Sequence, residues 1–234
     1  MTKKIELSPR LRMVADLVPE GVRLADVGTD HAYLPSALLQ EGRIPSALAA
    51  DLRSGPLSRA RNTAEECGLL DRISFCLCDG LTGIRPEQAD AVSMAGMGGE
   101  TITLILKAAP WTREKGIPLI LQPQSTYVEL RGWLMEHGYR IETEQLVRDG
   151  EMIYTAWLVR AGEMKKLSPA ELWAGENRND PLRGAWLDLW IHKTAAALRG
   201  LTRSDNEQSA QRRQMLTEVH NGLVEMKKEW EAWQ

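Results

Sequence analysis

Three aspartates close three short apolar runs: Asp26 in LADV, Asp51 in ALAAD and Asp79 in FCLCD. Gly28 follows the first, inside LADVGTDHAYLP, and Asp30 follows the glycine by two. A glycine lets the backbone turn toward a ligand with no side chain in the way. Carboxylates on both sides of that turn stabilise a cationic ligand and repel a pyrophosphate. Asp51 lies 23 residues after Gly28, close to the roughly 20-residue spacing at which an acid receives ribose hydroxyls. Asp79, with Gly80 beside it, suits an adenine edge presenting its exocyclic amine. Each acid alone could instead cap a helix, the commoner fate of an Asp after a strand. Together they match a nucleoside that carries positive charge, and the sign of the charge favours the methyl donor S-adenosylmethionine.

A second unusual segment is SMAGMGGETI, residues 93–102. Ala95, Gly96, Met97 and Gly98 would leave bare amides at the carboxyl edge of a sheet, where ligands bind in open α/β folds. They read as a platform for cofactor and substrate, with a plain structural turn as the alternative. The segment also offers the main rival, a nicotinamide fingerprint, but no acid closes a strand about twenty residues later, since Glu114 falls in a polar loop. At the Gly28 turn, Asp30 and Tyr33 occupy the other two glycine places of that fingerprint. His31 is placed to line the cofactor pocket. Gln122 and Gln124, in LILQPQ, could orient a base through their amides, and Tyr33 could stack on one; surface polarity and helix packing are the plain alternatives.

These residues need a frame. Ser8 and Pro9 suit a helix start before an apolar stripe through Leu11, Val14, Ala15 and Val18. Strands are expected at 22–27, 46–50, 73–78, 89–94 and 117–121, alternating with helices near 33–39, 56–67 and 102–108. A further helix capped by Ser125 carries Val128, Leu130, Leu134 and Met135. Two strand-like runs, 139–148 and 151–160, flank Asp149 and Gly150, a dipeptide preferred at hairpin turns. A parallel α/β sheet finished by an antiparallel hairpin is the class I Rossmann-like methyltransferase arrangement. From 163 the chain turns polar, then helical. Leu216, Val219, Leu223, Met226, Trp230 and Trp233 form a coiled-coil-like seam, with a matching stripe at Leu182, Trp186, Leu189 and Ala196 and a turn across 200–206. The expected division is a donor-binding domain at 1–162 and a C-terminal helical hairpin at 163–234.

The 234 residues include 43% hydrophobic ones and carry a net charge of -3, so a polyanion would have to be met by a local basic patch. No apolar run approaches a membrane span, and the first residues lack the apolar segment of a secretory signal; a cytoplasmic location is expected. Three cysteines do not make a disulfide framework. Cys76 and Cys78, with four scattered histidines, do not compose a metal set, so no metal is expected.

The strings ADVGTDHAYLP, AGMGG, LILQP and LSPRL together resemble the TrmK-type family of bacterial tRNA adenine N1 methyltransferases, which act on adenine 22 of the D-arm. Thr29 stands where relatives often have Ser, and Gln124 where Asn would be expected. The resemblance implies S-adenosylmethionine as cofactor, tRNA as partner and direct methyl transfer to N1, with Asp30 as the candidate catalytic carboxylate; its plain alternative is a helix cap. Arg10 and Arg12 on the opening helix, and Arg199 and Arg203 near the tip of the helical hairpin, are candidates to hold RNA. Two other readings fit the residues: a small-molecule methyltransferase, and a non-catalytic donor-binding module whose tail recruits a protein.

Overall fold

The computed structural model describes residues 2–201 and 207–234. They form two compact units, Met1–Met164 and Lys165–Gln234.

In the first unit, α1 (Pro9–Leu17) leads into β1 (Leu24–Val27), α2 (Tyr33–Gln40), β2 (Ala47–Asp51), α3 (Ser54–Glu66) and β3 (Ile73–Leu77). Then come β4 (Ala91–Gly98), α4 (Gly99–Ala108), α5 (Trp111–Glu114), β5 (Leu119–Ser125), α6 (Tyr127–Glu136), β6 (Tyr139–Asp149) and β7 (Met152–Ala161). The seven strands are ordered β3-β2-β1-β4-β5-β7-β6. β1 to β5 are parallel, and β7 runs antiparallel to both β5 and β6. β1 and β2 are buried at every position, as expected of parallel strands covered on both faces. One face packs Val14, Leu38 and Ala60 of α1, α2 and α3; the other packs Ile102, Leu106, Leu130 and Leu134 of α4 and α6. Strand order reverses between β1 and β4, which opens a crevice at their carboxyl ends.

Three expectations are corrected. β4 does not stop at Met94: it continues through Gly98, with register shifts against β5 at Ala95/Met97 and Met97/Gly98. The glycine segment is thus an irregular strand edge. Ser125 does not cap α6; Thr126 occupies that place at φ +50 without a side-chain cap, and its hydroxyl accepts from the Glu100 amide instead, 3.1 Å. In the hairpin, Asp149 pairs with Met152, so the two turn residues are Gly150 and Glu151. Gly150 takes the positive φ of +61 that such a turn demands.

α6 is tied to the hairpin by a buried ion pair. Arg131 Nη2 lies 2.9 Å from Glu144 Oε1, which also accepts from Thr155 Oγ1 and Trp157 Nε1. The guanidinium stacks 4.3 Å from the Trp157 ring centroid. The pair is hydrogen-bonded on several sides, the condition under which buried charge is tolerated.

The second unit holds α7 (Pro169–Ala174), α8 (Arg183–Leu201) and α9 (Glu207–Trp233). Ser168 and Glu171 form a reciprocal capping box at the start of α7. Arg183 donates to the carbonyls of Ala174 and Gly175, closing its end. α8 and α9 run antiparallel: Lys227 reaches Asp188 and the Gly184 carbonyl, while Thr194 meets His220 at 2.9 Å. Val219 and Leu223 of the expected seam are buried, but Trp233 is exposed. On α8 the buried face is Trp186, Leu187, Trp190 and Thr194. Leu189 is only partly covered and Ala196 is exposed, because two large indoles set the packing face and rotate it away from the stripe read from spacing. The expected turn at 200–206 falls mainly outside the described residues.

Candidate active site

The carboxyl ends of β1 to β4 open onto one cavity of about 710 Å³. Its walls include Asp26, Gly28, Asp30, His31, Tyr33, Asp51, Asp79, Gly80, Ala95, Gly96, Met97, Gln124 and Arg10. The three strand-closing acids, the Gly28 turn and the glycine edge of β4 therefore line one cavity.

Asp26 lies at the floor, 5% exposed. Ser93 Oγ donates to its Oδ1 at 2.7 Å, because β1 and β4 pair with Asp26 opposite Ser93. Burial pushes the Asp26 carboxyl up to about 6, opposed in part by the hydroxyls of Ser93 and Thr29. Gly28 sits at φ +72, and a Cβ there would come 2.2 Å from Met97 Cε. The positive φ is what requires glycine; the wall contact falls on the flexible end of the Met97 side chain, which a methyl would displace. Asp51 is nearly buried and accepts from the Arg53 amide at 2.8 Å. Gly80 turns the chain after Asp79.

Asp30 and Ala32 both have positive φ, +46 and +53. These left-handed non-glycine residues mark local strain of the kind found at ligand sites. Asp30 does not cap α2, whose N-cap residue is Ala32. Its Oδ1 meets Arg59 Nη2 of α3 at 2.5 Å, while Oδ2 lies 3.7 Å from His31 Nε2. His31 stacks on Tyr33 with ring centroids 5.1 Å apart and 14° between planes, which makes a flat aromatic wall beside the carboxylate. Cys78 also lines the cavity; burial, and then its hydrogen bond with Cys76, pushes its thiol up to about 11.

Some expected site residues lie elsewhere. Gln122 is fully buried: its Oε1 accepts from Arg10 Nη1 and the Gly96 amide, and its Nε2 donates to the Pro123 carbonyl. Both ends of the amide are engaged within the protein, so the expectation that Gln122 orients a base is corrected; Gln124 is the glutamine on the cavity wall. Gly98 pairs with Ser125 at the end of β4 and N-caps α4, which takes it off the cavity wall. Arg12 is held bidentate by Glu41 at 2.6 and 3.0 Å and points to another face of α1 than Arg10. Arg199 is exposed near the end of α8, in the second unit, and Arg203 lies outside the described residues.

Sequence reasoning missed Ser93, Arg53 and Arg59. Ser93 is a polar residue inside an apolar strand, a signal that was legible. Arg59 carries no local sign, because its partner Asp30 is 29 residues away. Among the described residues no group of three or more His, Cys, Asp or Glu is arranged to hold a metal ion.

Four acids, a glycine turn opposite a methionine and a flat aromatic wall fit a cationic adenosyl ligand, and the comparisons agree. Residues 7–156 match a methyltransferase domain family model. A Bacillus subtilis tRNA (adenine(22)-N(1))-methyltransferase is 36% identical over 160 residues, covering 68% of this chain and 67% of that protein. The crystal structure of B. subtilis m1A22 tRNA methyltransferase TrmK superposes with a TM-score of 0.82 at 30% identity, covering 96% of this chain and all of that one. A Streptococcus pneumoniae candidate tRNA (m1A22) methyltransferase in complex with S-adenosyl-L-methionine gives 0.82 at 32%, covering 95% of this chain and 100% of the other. This chain belongs to the TrmK family of tRNA (adenine(22)-N1) methyltransferases.

Proposed function

We infer that this protein transfers a methyl group from S-adenosylmethionine to N1 of adenine 22 in tRNA. The observation that carries this reading is the convergence of Asp26, Asp30, Asp51 and Asp79 on one cavity around the Gly28 turn. When bound, S-adenosylmethionine supplies an electrophilic methyl on a positively charged sulfur. Asp51 is placed for the ribose hydroxyls, Asp79 and Gly80 for the adenine edge, and Asp26 for the positive charge. Ala95, Gly96 and Met97 line the same cavity and would separate donor from acceptor.

N1 of adenine attacks with its own lone pair, so no covalent enzyme nucleophile is required and the protein acts chiefly by orienting two reactants. The methylated ring gains positive charge. Asp30, on the cavity wall, would accept from the exocyclic amine and stabilise that charge as it develops; its Oδ1 meets Arg59 and its Oδ2 lies near His31. The His31–Tyr33 pair offers a face on which a base can stack, and Gln124 an amide beside it. We assign donor binding and chemistry to residues 1–162 and RNA gripping to the helical part at 163–234, through Arg199 and Arg203. Among the described residues no helix is long and apolar enough to cross a membrane. A cytoplasmic site of action fits the three free cysteines.

The test is product analysis. tRNA incubated with enzyme and labelled donor, then digested to nucleosides, should yield 1-methyladenosine. Label recovered only as N6-methyladenosine, or only in small molecules, would reject the reading.

A further inference from the structure

Two residues of the turn between β1 and α2, Asp30 and Ala32, sit in the left-handed region at φ +46 and +53. Backbone bonds tie this turn: the Gly28 and Thr29 amides donate to the Ala50 carbonyl at 2.8 and 3.1 Å, and the Ala32 amide donates to the Thr29 carbonyl at 2.9 Å. None of these bonds fixes the Asp30 side chain. The torsion that sets the plane of an aspartate carboxylate is broad and roughly two-fold, so an unrestrained Asp30 would present either oxygen over a wide arc.

The restraint comes from another element. Arg59 Nη2 donates to Asp30 Oδ1 at 2.5 Å, and Arg59 is borne by α3, which is anchored through buried Leu57, Ala60, Thr63 and Ala64. Its other terminal nitrogen, Nη1, lies 3.8 Å from where a Cβ on Gly55 would stand, one helical turn earlier, so the guanidinium passes a glycine and meets no competing side chain there. Asp30 Oδ2 lies 3.7 Å from His31 Nε2, and that ring is stacked on Tyr33. The carboxylate is thus spanned between a helix and an aromatic pair. All four residues line the cavity. The ion pair is open to solvent, with side chains 47% and 58% exposed, and a pair so exposed adds little to the stability of a fold. Its effect falls on the reaction: a group held in place before the substrate arrives spares the transition state the entropy of finding it.

We propose that Arg59 is a positioning residue for methyl transfer, fixing the Asp30 carboxylate in the orientation that accepts from the exocyclic amine of the target adenine. This rests on the role given to Asp30 in the proposed function.

The experiment is single-turnover methyl transfer by the full chain at saturating S-adenosylmethionine, with enzyme in excess over tRNA and its concentration varied. Arg59→Met should lower the maximal rate about 3- to 5-fold, the reach of an ion pair open to solvent, with the half-saturating concentration unchanged. Arg59→Lys should recover part of the loss. In an Asp30→Ala background Arg59→Met should cost nothing further, because the carboxylate it holds is gone. Should melting show that Arg59→Met perturbs the fold, Arg59→Gln takes its place in the same comparison. A maximal rate equal to wild type overturns the proposal. So does an undiminished loss in the Asp30→Ala background, or a raised half-saturating concentration at unchanged maximal rate, which would give Arg59 to an RNA phosphate. An Asp30→Ala protein with the wild-type rate would instead defeat the role of Asp30 on which the proposal rests.

Discussion

Replacing Asp26 by asparagine separates what this carboxylate costs the fold from what it gives the ligand. Asp26 is buried against Ser93, and burial raises its carboxyl from 3.8 to about 6. For an acid whose folded value is raised, the stability it contributes is complete below its unfolded value and is lost as pH rises through the folded one. The interval is roughly two pH units, and at 1.36 kcal/mol for each the upper bound is about 3 kcal/mol. Asp26→Asn removes that ionisation. At pH near 7.5 the unliganded variant should therefore melt above wild type, by up to about 10 °C at roughly 2–4 °C per kcal/mol for a chain of this size. The gap should close as pH falls below 4. Donor binding should move the opposite way: wild-type affinity rises between about pH 5 and 7 as the carboxylate forms beside a cationic ligand, and the variant binds weakly with a flat profile. Calorimetric melting and donor titration over this range check both. A variant that melts below wild type at pH 7.5, or keeps the wild-type pH dependence of donor binding, would refute the reasoning.

Gly28→Ala forces a left-handed φ on alanine at about 1–2 kcal/mol and presses a methyl on Met97 Cε, so donor affinity should fall about tenfold or more. Adding Met97→Ala should recover the steric part alone, and full affinity in the single variant would contradict the turn geometry. Asp30→Asn should reduce the single-turnover methylation rate at saturating donor about 10- to 100-fold, the worth of one charge-assisted hydrogen bond; an unaltered rate removes Asp30 from catalysis. Glu144→Gln strands the Arg131 charge in the core and should destabilise the protein by about 3–5 kcal/mol in denaturant unfolding, whereas a loss under 1 kcal/mol would mean that the pair is solvated.

The acid-crowned sheet was legible because its strands announce themselves twice, by continuous apolar runs and by the Asp and Gly residues that close them. β4 was harder: Gly96, Met97 and Gly98 have little strand propensity, and only pairing with β5 draws the strand on past Met94. The hairpin was found but framed one residue early, since Gly150 satisfies a positive φ at either turn position. Gln122 was misassigned for a tertiary reason. Its amide is consumed by Arg10, 112 residues away in sequence, and no local pattern encodes that contact. The same holds for Arg59 with Asp30, and for the indoles that turn the face of α8.

The specificity of this cavity is for one base, adenine 22 of tRNA. It is tested most directly by measuring labelled methyl transfer to matched tRNA transcripts carrying adenine or guanine at position 22. The account predicts near-stoichiometric incorporation into the first and background incorporation into the second; equal labelling of both would contradict it.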